Sequence, residues 1–242
     1  MSFRSSVLSL SPSIYWILDS LDGATDISGN SRNGTLVGVS LGDNNSSPVD
    51  SCANSTSFNG SSKTISAVTY APFVNGTTRS IGVWVWRTSL SNRDGILGSA
   101  GGAGGYTFIE AGLGSGASNN DDIEFSPDWG TTNFVWTHGW PGAAQWVFLG
   151  WTYNETTDVS EAYINGTTLG TVTHTTAYAN TTNNIQIGSW ADTVYLNGNL
   201  SNFFMVEGLV TAAQWLSLYQ SSRAPGLLKL NRDKFPKTQL RT

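Results

Sequence analysis

Five Asn-Gly dipeptides punctuate this chain, beginning at Asn33, Asn59, Asn75, Asn165 and Asn197. Asn and Gly enter positive φ at the least cost, and a two-residue type I′ hairpin turn needs positive φ at both central positions. A chain with this many such signals is expected to consist of strands that fold back on one another. The segments between them agree. Glu161 to Ile164 and Thr167 to Val172 flank Asn165-Gly166 as the two arms of a hairpin. Ser80 to Arg87 alternates, with Ile81, Val83 and Val85 on one face and Trp84 and Trp86 on the other. Gln145 to Tyr153 is apolar on both faces, the pattern of a central strand covered on each side. Thr35 to Leu41, Gly95 to Ser99, Tyr106 to Ala111, Ile123 to Ser126, Asn133 to Thr137, Asn184 to Gly188 and Leu200 to Val206 read as further strands.

One helix stands out. Thr211 suits an N-cap, and Ala212, Trp215, Leu216 and Tyr219 follow at helical spacing. That stripe is expected to pack on the sheets. Many short strands with one late helix give an all-β fold, an antiparallel sandwich or jelly roll of two sheets with a short C-terminal helix. Ten Asn-x-Ser/Thr triplets occur, and their excess comes from the Asn-Gly turns, so they read as turn chemistry. The run Gly98 to Gly105 lacks the Lys and the following helix of a phosphate-binding loop.

Charged residues are 12% of the 242, about half the usual share. In their place stand 31 Ser, 27 Thr, 20 Asn and 27 Gly, a neutral surface rich in hydroxyls and amides. A net charge of -5 argues against general nucleic-acid binding. No run of apolar residues is long enough to span a membrane. The single cysteine, Cys52, excludes an internal disulfide. The two histidines, His138 and His174, lack ligand spacing and leave little room for zinc or a His-based triad. No apolar stretch of signal-peptide length precedes Pro12, so secretion by that route is not expected.

The order of the segments resembles the laminin-G-like, concanavalin A-like jelly-roll family. Tyr15 to Asp19, then Asp26 to Asn30, then Asn33 to Leu36, is similar to the family's opening strand, Asp-x-Ser-Gly-Asn loop and Gly-Thr strand. Ser57 to Gly60, Ile81 to Trp86, Trp146 to Tyr153 with Glu161 to Gly166, Ile185 to Gly188, Leu196 to Gly198 and the helix at Leu209 to Tyr219 continue the likeness over residues 7 to 220. Arg4 to Trp16 and the Ala224 to Leu228 end further resemble laminin-G-like proteins of tailed bacteriophages, which begin at the initiator Met. That resemblance implies a non-enzymatic virion protein, a capsid decoration or a tail component. Such a protein is made in the host cytoplasm, works beside other virion proteins and copies of itself, and can bind host-surface polysaccharide. A stand-alone lectin or a glucanase-like enzyme is the alternative.

Three places carry candidate chemistry. Asn120, Asp121, Asp122 and Glu124 form the densest acidic cluster, and on a strand Asn120, Asp122 and Glu124 would share a face. Glucanases of this fold carry Glu-x-Asp-x-Glu there. Asn120 replaces the first carboxylate, so no catalytic residue is assigned. Oxygen ligands suit calcium as a cofactor, and an acidic solvated turn is the other reading. Asp19, Asp22 and Asp26 suit backbone-capping Asx turns, with calcium binding as the alternative. Trp129, Trp136 and Trp140 sit among Gly, Pro, Asn and Thr; exposed there, their rings would stack on sugar faces, whereas buried they would only pack loops.

The charge is divided unevenly. Residues 1–222 hold six basic and sixteen acidic groups. The last twenty hold six basic groups (Arg223, Lys229, Arg232, Lys234, Lys237 and Arg241) and one acid. Leu227, Leu228, Leu230 and Phe235 are interleaved with them. The expectation is a jelly-roll domain over 1–221 and a basic extended arm over 222–242, whose interleaved apolar residues favour lying on an acidic neighbour over the alternative of a solvated tail.

Overall fold

The computed structural model describes residues 1–41, 46–49, 52, 54–67, 70, 78–99, 108–112, 119–126, 134–137, 139–173, 184–190 and 193–222. A short helix, α1 (Phe3–Leu8), comes first. The strands are β1 (Ile14–Trp16), β2 (Thr35–Val37), β3 (Thr56–Asn59), β4 (Thr64–Ser66), β5 (Arg79–Arg87), β6 (Asp94–Ser99), β7 (Phe108–Ala111) and β8 (Ile123–Ser126). They continue with β9 (Phe134–Trp136), β10 (Trp146–Asn154), β11 (Val159–Ile164), β12 (Thr167–Thr173), β13 (Ile185–Ile187), β14 (Ser189–Trp190), β15 (Val194–Tyr195) and β16 (Asn197–Val206). Helix α2 (Ala212–Ser222) closes the described chain. A back sheet runs β1-β16-β5-β10-β11-β12, with β3 also on β16; a front sheet runs β2-β4-β13-β6-β7-β8-β9; β14 and β15 form a separate hairpin. Every pairing is antiparallel, as expected for a jelly-roll sandwich.

Two apolar layers hold it together. Ile81, Val83, Val85, Leu149 and Trp151 of the back sheet meet Ile65, Leu97, Ile109, Ile123 and Ile187 of the front sheet. On the other side of the back sheet, Trp84, Phe148 and Phe204 pack under Phe3 and Val7 of α1 and Trp215 and Leu218 of α2. The back sheet is therefore covered on both faces, as the two-sided pattern of Gln145 to Tyr153 requires. Two strand glycines make that layer possible. A Cβ at Gly82 would lie 2.3 Å from Phe204 Cζ, and one at Gly150 2.8 Å from Trp215 Cε3.

Some expectations change. Asn165-Gly166 is the I′-type turn, with φ of 53° and 78°. Asn197-Gly198 is not a turn; it opens β16, and a Cβ at Gly198 would lie 1.9 Å from the Trp86 carbonyl oxygen. Asn75-Gly76 lies outside the described residues. The Thr35 strand stops at Val37. Thr211 caps α2 as expected: its Oγ1 accepts from Gln214 N, and Gln214 Oε1 accepts from Thr211 N. The buried face of α2 is nevertheless Trp215, Leu218 and Ser222, while Leu216 is exposed. The helix α1 was not foreseen. Ser2 caps it, and only Phe3 and Val7 form its apolar contact, too brief a stripe to read as a period.

Candidate functional site

The helices cover part of the outer side of the back sheet, and the outer side of the front sheet carries a row of polar side chains. Along β7, Ile109 and Ala111 enter the core, so Glu110 points outward; along β8, Ile123 and Phe125 do the same for Glu124. The register sets Glu110 opposite both Gly95 and Glu124, and Glu124 opposite Val135. In a neighbouring row Gln186 sits between Ser66 and Gly98. Glu110 and Glu124 are fully buried, and Gln186 and Trp190 nearly so.

Gly95 and Gly98 form a bare platform for the β14–β15 hairpin. A Cβ at Gly95 would lie 2.3 Å from Val194 O, and one at Gly98 2.7 Å from Trp190 Cβ. The indole N–H of Trp190 donates to Glu110 Oε2. Arg93 Nε donates to both Glu110 oxygens, at 2.9 and 2.8 Å, and its guanidinium lies 5.4 Å from the Trp190 ring centroid. A buried carboxylate with such donors is neutralised and fixed in place. Its chemistry here is to hold Trp190 and the hairpin against the sheet.

Pairing also gathers the strand ends. Ile185 lies opposite Ser99, Gln186 opposite Ser66, Gly98 opposite Phe108, Phe108 opposite Ser126, and Phe125 opposite Phe134. The ends of β4, β6 and β8 and the starts of β7, β9 and β13 therefore sit together at one end of the front sheet. Trp129 belongs to the connection between Ser126 and Phe134; it lies outside the described residues.

Trp136 and Trp140 require a correction. They are 7% and 2% exposed and belong to the core between the sheets. Trp136 pairs with Ile123, at the far end of β8 from Ser126, and its indole N–H donates to Gly170 O. The Arg87 guanidinium lies 5.4 Å from the Trp140 ring centroid. Neither ring offers a face to a sugar. The acidic cluster also divides. β8 begins at Ile123, so Asn120 stands in the preceding turn, exposed, with its carbonyl accepting from Arg87 Nη1. Asp122 is buried and accepts from the backbone N–H of Asn119. Asn120, Asp122 and Glu124 thus do not form one strand face. Among the described residues no group of three or more His, Cys, Asp or Glu is placed to hold a metal.

The opening loop is Asx chemistry, as its residues suggest. Asp19 Oδ1 accepts from Leu21 N and Asp22 N; Asp26 accepts from Tyr15 N, Ser28 N and Arg32 N. The assembly-arm residues Arg223, Leu227, Leu228, Lys229, Leu230, Arg232, Lys234, Phe235, Lys237 and Arg241 lie outside the described residues. Sequence reasoning missed Arg93, Glu110 and Trp190. The signal was present in Phe108-Ile109-Glu110-Ala111, a charged residue alternating with core residues beside a strand bearing Gly95 and Gly98.

Two antiparallel sheets, one of them covered on its outer face by α1 and α2, define a jelly-roll sandwich. Solved structures share this fold. Domain 4 of an extracellular arabinanase from Geobacillus stearothermophilus, in complex with arabinotriose, matches with a TM-score of 0.61 at 16% identity, over 86% of this chain and 98% of that one. The botulinum neurotoxin serotype D binding domain matches with a TM-score of 0.65 at 14% identity, over 89% of this chain and 52% of that one. Botulinum neurotoxin type C, whose cell entry is dependent upon interaction with two ganglioside molecules, matches with a TM-score of 0.63 at 14% identity, over 91% of this chain and 53% of that one. This chain thus spans about half the length of the toxin chains it matches. At these identities the likeness is one of fold alone. No family model and no curated protein matches the chain.

Proposed function

We propose that this chain is a non-catalytic recognition domain that binds glycans at the loop-bearing end of its front sheet. The observation that carries the reading is the convergence there of the ends of β4, β6, β8 and the starts of β7, β9 and β13, on the sheet that neither of the described helices covers. Loops gathered on a rigid sandwich are where such folds place recognition. The arabinotriose and ganglioside partners of similarly folded proteins support a sugar as ligand. Trp129 is the aromatic assigned to stack on the sugar, because Trp136 and Trp140 are buried. Glu110, engaged by Arg93 and Trp190, is ill-suited to act as a nucleophile or acid. A glycan array of the full chain should show binding that Trp129→Ala abolishes. A blank array, or binding unchanged in that variant, overturns the proposal. Release of reducing ends from a bound polysaccharide would favour the enzymatic alternative instead.

The finer proposal places this domain on a bacteriophage virion, as capsid decoration or tail component. Its support is the resemblance carried by Arg4 to Trp16. Mass spectrometry of purified particles from a phage encoding this chain should find it as a component; its absence from the particles would remove the virion reading.

A further inference from the structure

Where the helices pack on the back sheet they cover Trp84, Phe148 and Phe204. Two residues forward along β5 and two back along β10, Trp86 and Trp146 point the same way, and both are only half-buried. They lie opposite each other, with ring centroids 5.8 Å apart and planes at 64°. The Trp146 indole N–H donates to Ser46 O at 2.9 Å, which fixes that ring. The same row continues across the sheet, with Trp86 opposite Asn199 and Asn199 opposite Ser57. At its border Thr88 N donates to Asn197 O; Thr88 is exposed and Asn197 half-buried. None of these residues carries a charge. Indoles are costly to leave in water, and two kept side by side at the surface mark a place where something is bound.

We propose that Trp86 and Trp146 form a second carbohydrate subsite, which stacks a single residue of a neutral, soluble polysaccharide. It lies on the other sheet from the loop-bearing end and does not rest on a site there. The apolar face of the sugar ring lies on an indole, and its hydroxyls meet the Asn197 amide and the Thr88 hydroxyl. The chemistry of the row selects this ligand. An uncharged border gives nothing to an anionic polymer or an acidic peptide, whereas amides and hydroxyls pair with the hydroxyls of a sugar. Rings at 64° do not share a plane, so the pair does not fit the flat surface of a crystalline polymer. It suits one residue lying flat on one ring and edge-on to the other. The Trp146 hydrogen bond holds its ring in place before the ligand arrives, which lowers the cost of binding. Contact with one sugar residue is worth an affinity of about millimolar. Such binding is lost from a washed array of short glycans and is retained where the polymer is concentrated.

The test is native gel electrophoresis through arabinan, xylan, mixed-linkage β-glucan or galactomannan. It uses the full chain carrying Trp129→Ala, so that the loop-bearing end does not contribute. At least one of these polymers should retard that chain. Adding Trp86→Ala or Trp146→Ala should raise the apparent Kd about tenfold. A second measurement avoids any disturbance of packing by the lost indole. In the unaltered chain, the Trp86 and Trp146 indole N–H resonances should shift with millimolar oligosaccharide cut from the retarding polymer. Retardation by none of the polymers overturns the proposal. So does equal retardation with and without the aromatic pair, or indole resonances that stay still. Concentration-dependent self-association that Trp86→Ala abolishes overturns it too, assigning the pair to a second copy of the chain.

Discussion

Arg87 Nε and Asp94 Oδ2 lie 2.8 Å apart with both side chains completely excluded from solvent. The pair joins the end of β5, in the back sheet, to the start of β6, in the front sheet. Asp94 Oδ1 also accepts from Asn197 N, while Arg87 donates to the carbonyls of Asn92 and Asn120. Removing one partner strands the other in an apolar interior. Arg87→Met should lower the unfolding free energy by about 3–5 kcal/mol, read from urea unfolding. Replacing Arg87 and Asp94 together by apolar residues should cost less than the sum of the two single changes. Additive losses would mean that the two groups do not depend on each other.

Trp190 should be held chiefly by its hydrogen bond to Glu110 and by the glycine platform beneath it. Trp190→Phe keeps much of the ring but removes the donor from a buried carboxylate. The expected loss is about 1–3 kcal/mol in urea unfolding. An unchanged stability would show that Arg93 alone satisfies Glu110.

Alkaline pH should weaken the fold through its buried tyrosines. Burial, above all, pushes the Tyr15 hydroxyl up, and it donates to Asn202 Oδ1 at 2.7 Å. Burial likewise pushes Tyr70 up to about 12; its hydrogen bond with Ser13 lowers the value and that with Glu207 raises it. An unfolded tyrosine loses its proton near pH 10, where both of these keep theirs. Above that pH the native state binds more protons than the unfolded one, so stability is intact below about pH 10 and falls as pH rises further. For Tyr70 the fall extends to about pH 12. Each tyrosine contributes a slope of up to about 1.4 kcal/mol per pH unit. Urea unfolding from neutral to alkaline pH measures it, and Tyr15→Phe should flatten the slope by one tyrosine's share. A stability that stays level above pH 10 would contradict this.

The strands were legible because alternation is local: Ile81, Val83 and Val85 announce their face without help from the rest of the chain. What stayed hidden depends on contacts distant in sequence. α1 and β14–β15 are too short to form a period and exist because Phe3 and Trp190 find partners elsewhere. Gly150 looks like a flaw inside a strand until Trp215 occupies the space above it. The same limit misplaced the site. Gly, Pro and Asn around Trp136 and Trp140 suggest exposed loops, but pairing with Ile123 turns Trp136 inward, and Trp140 N donates to Asp121 O. Glu110 was overlooked because its meaning comes from Arg93 and Trp190, the latter eighty residues away.

The most direct test of the glycan proposal is nuclear magnetic resonance mapping with the best oligosaccharide from the array. Titrating it into the full chain should move the backbone amides of Ser66, Ser99, Ser126, Ile185 and Gln186 together with the Trp129 indole, at a common affinity. The Trp84 indole, beneath the helices, and the Trp215 indole, on the buried face of α2, should stay still. Shifts centred on Trp140 and Asn119 to Asp122, at the opposite end of the front sheet, or on α1 and α2, would contradict the proposed site.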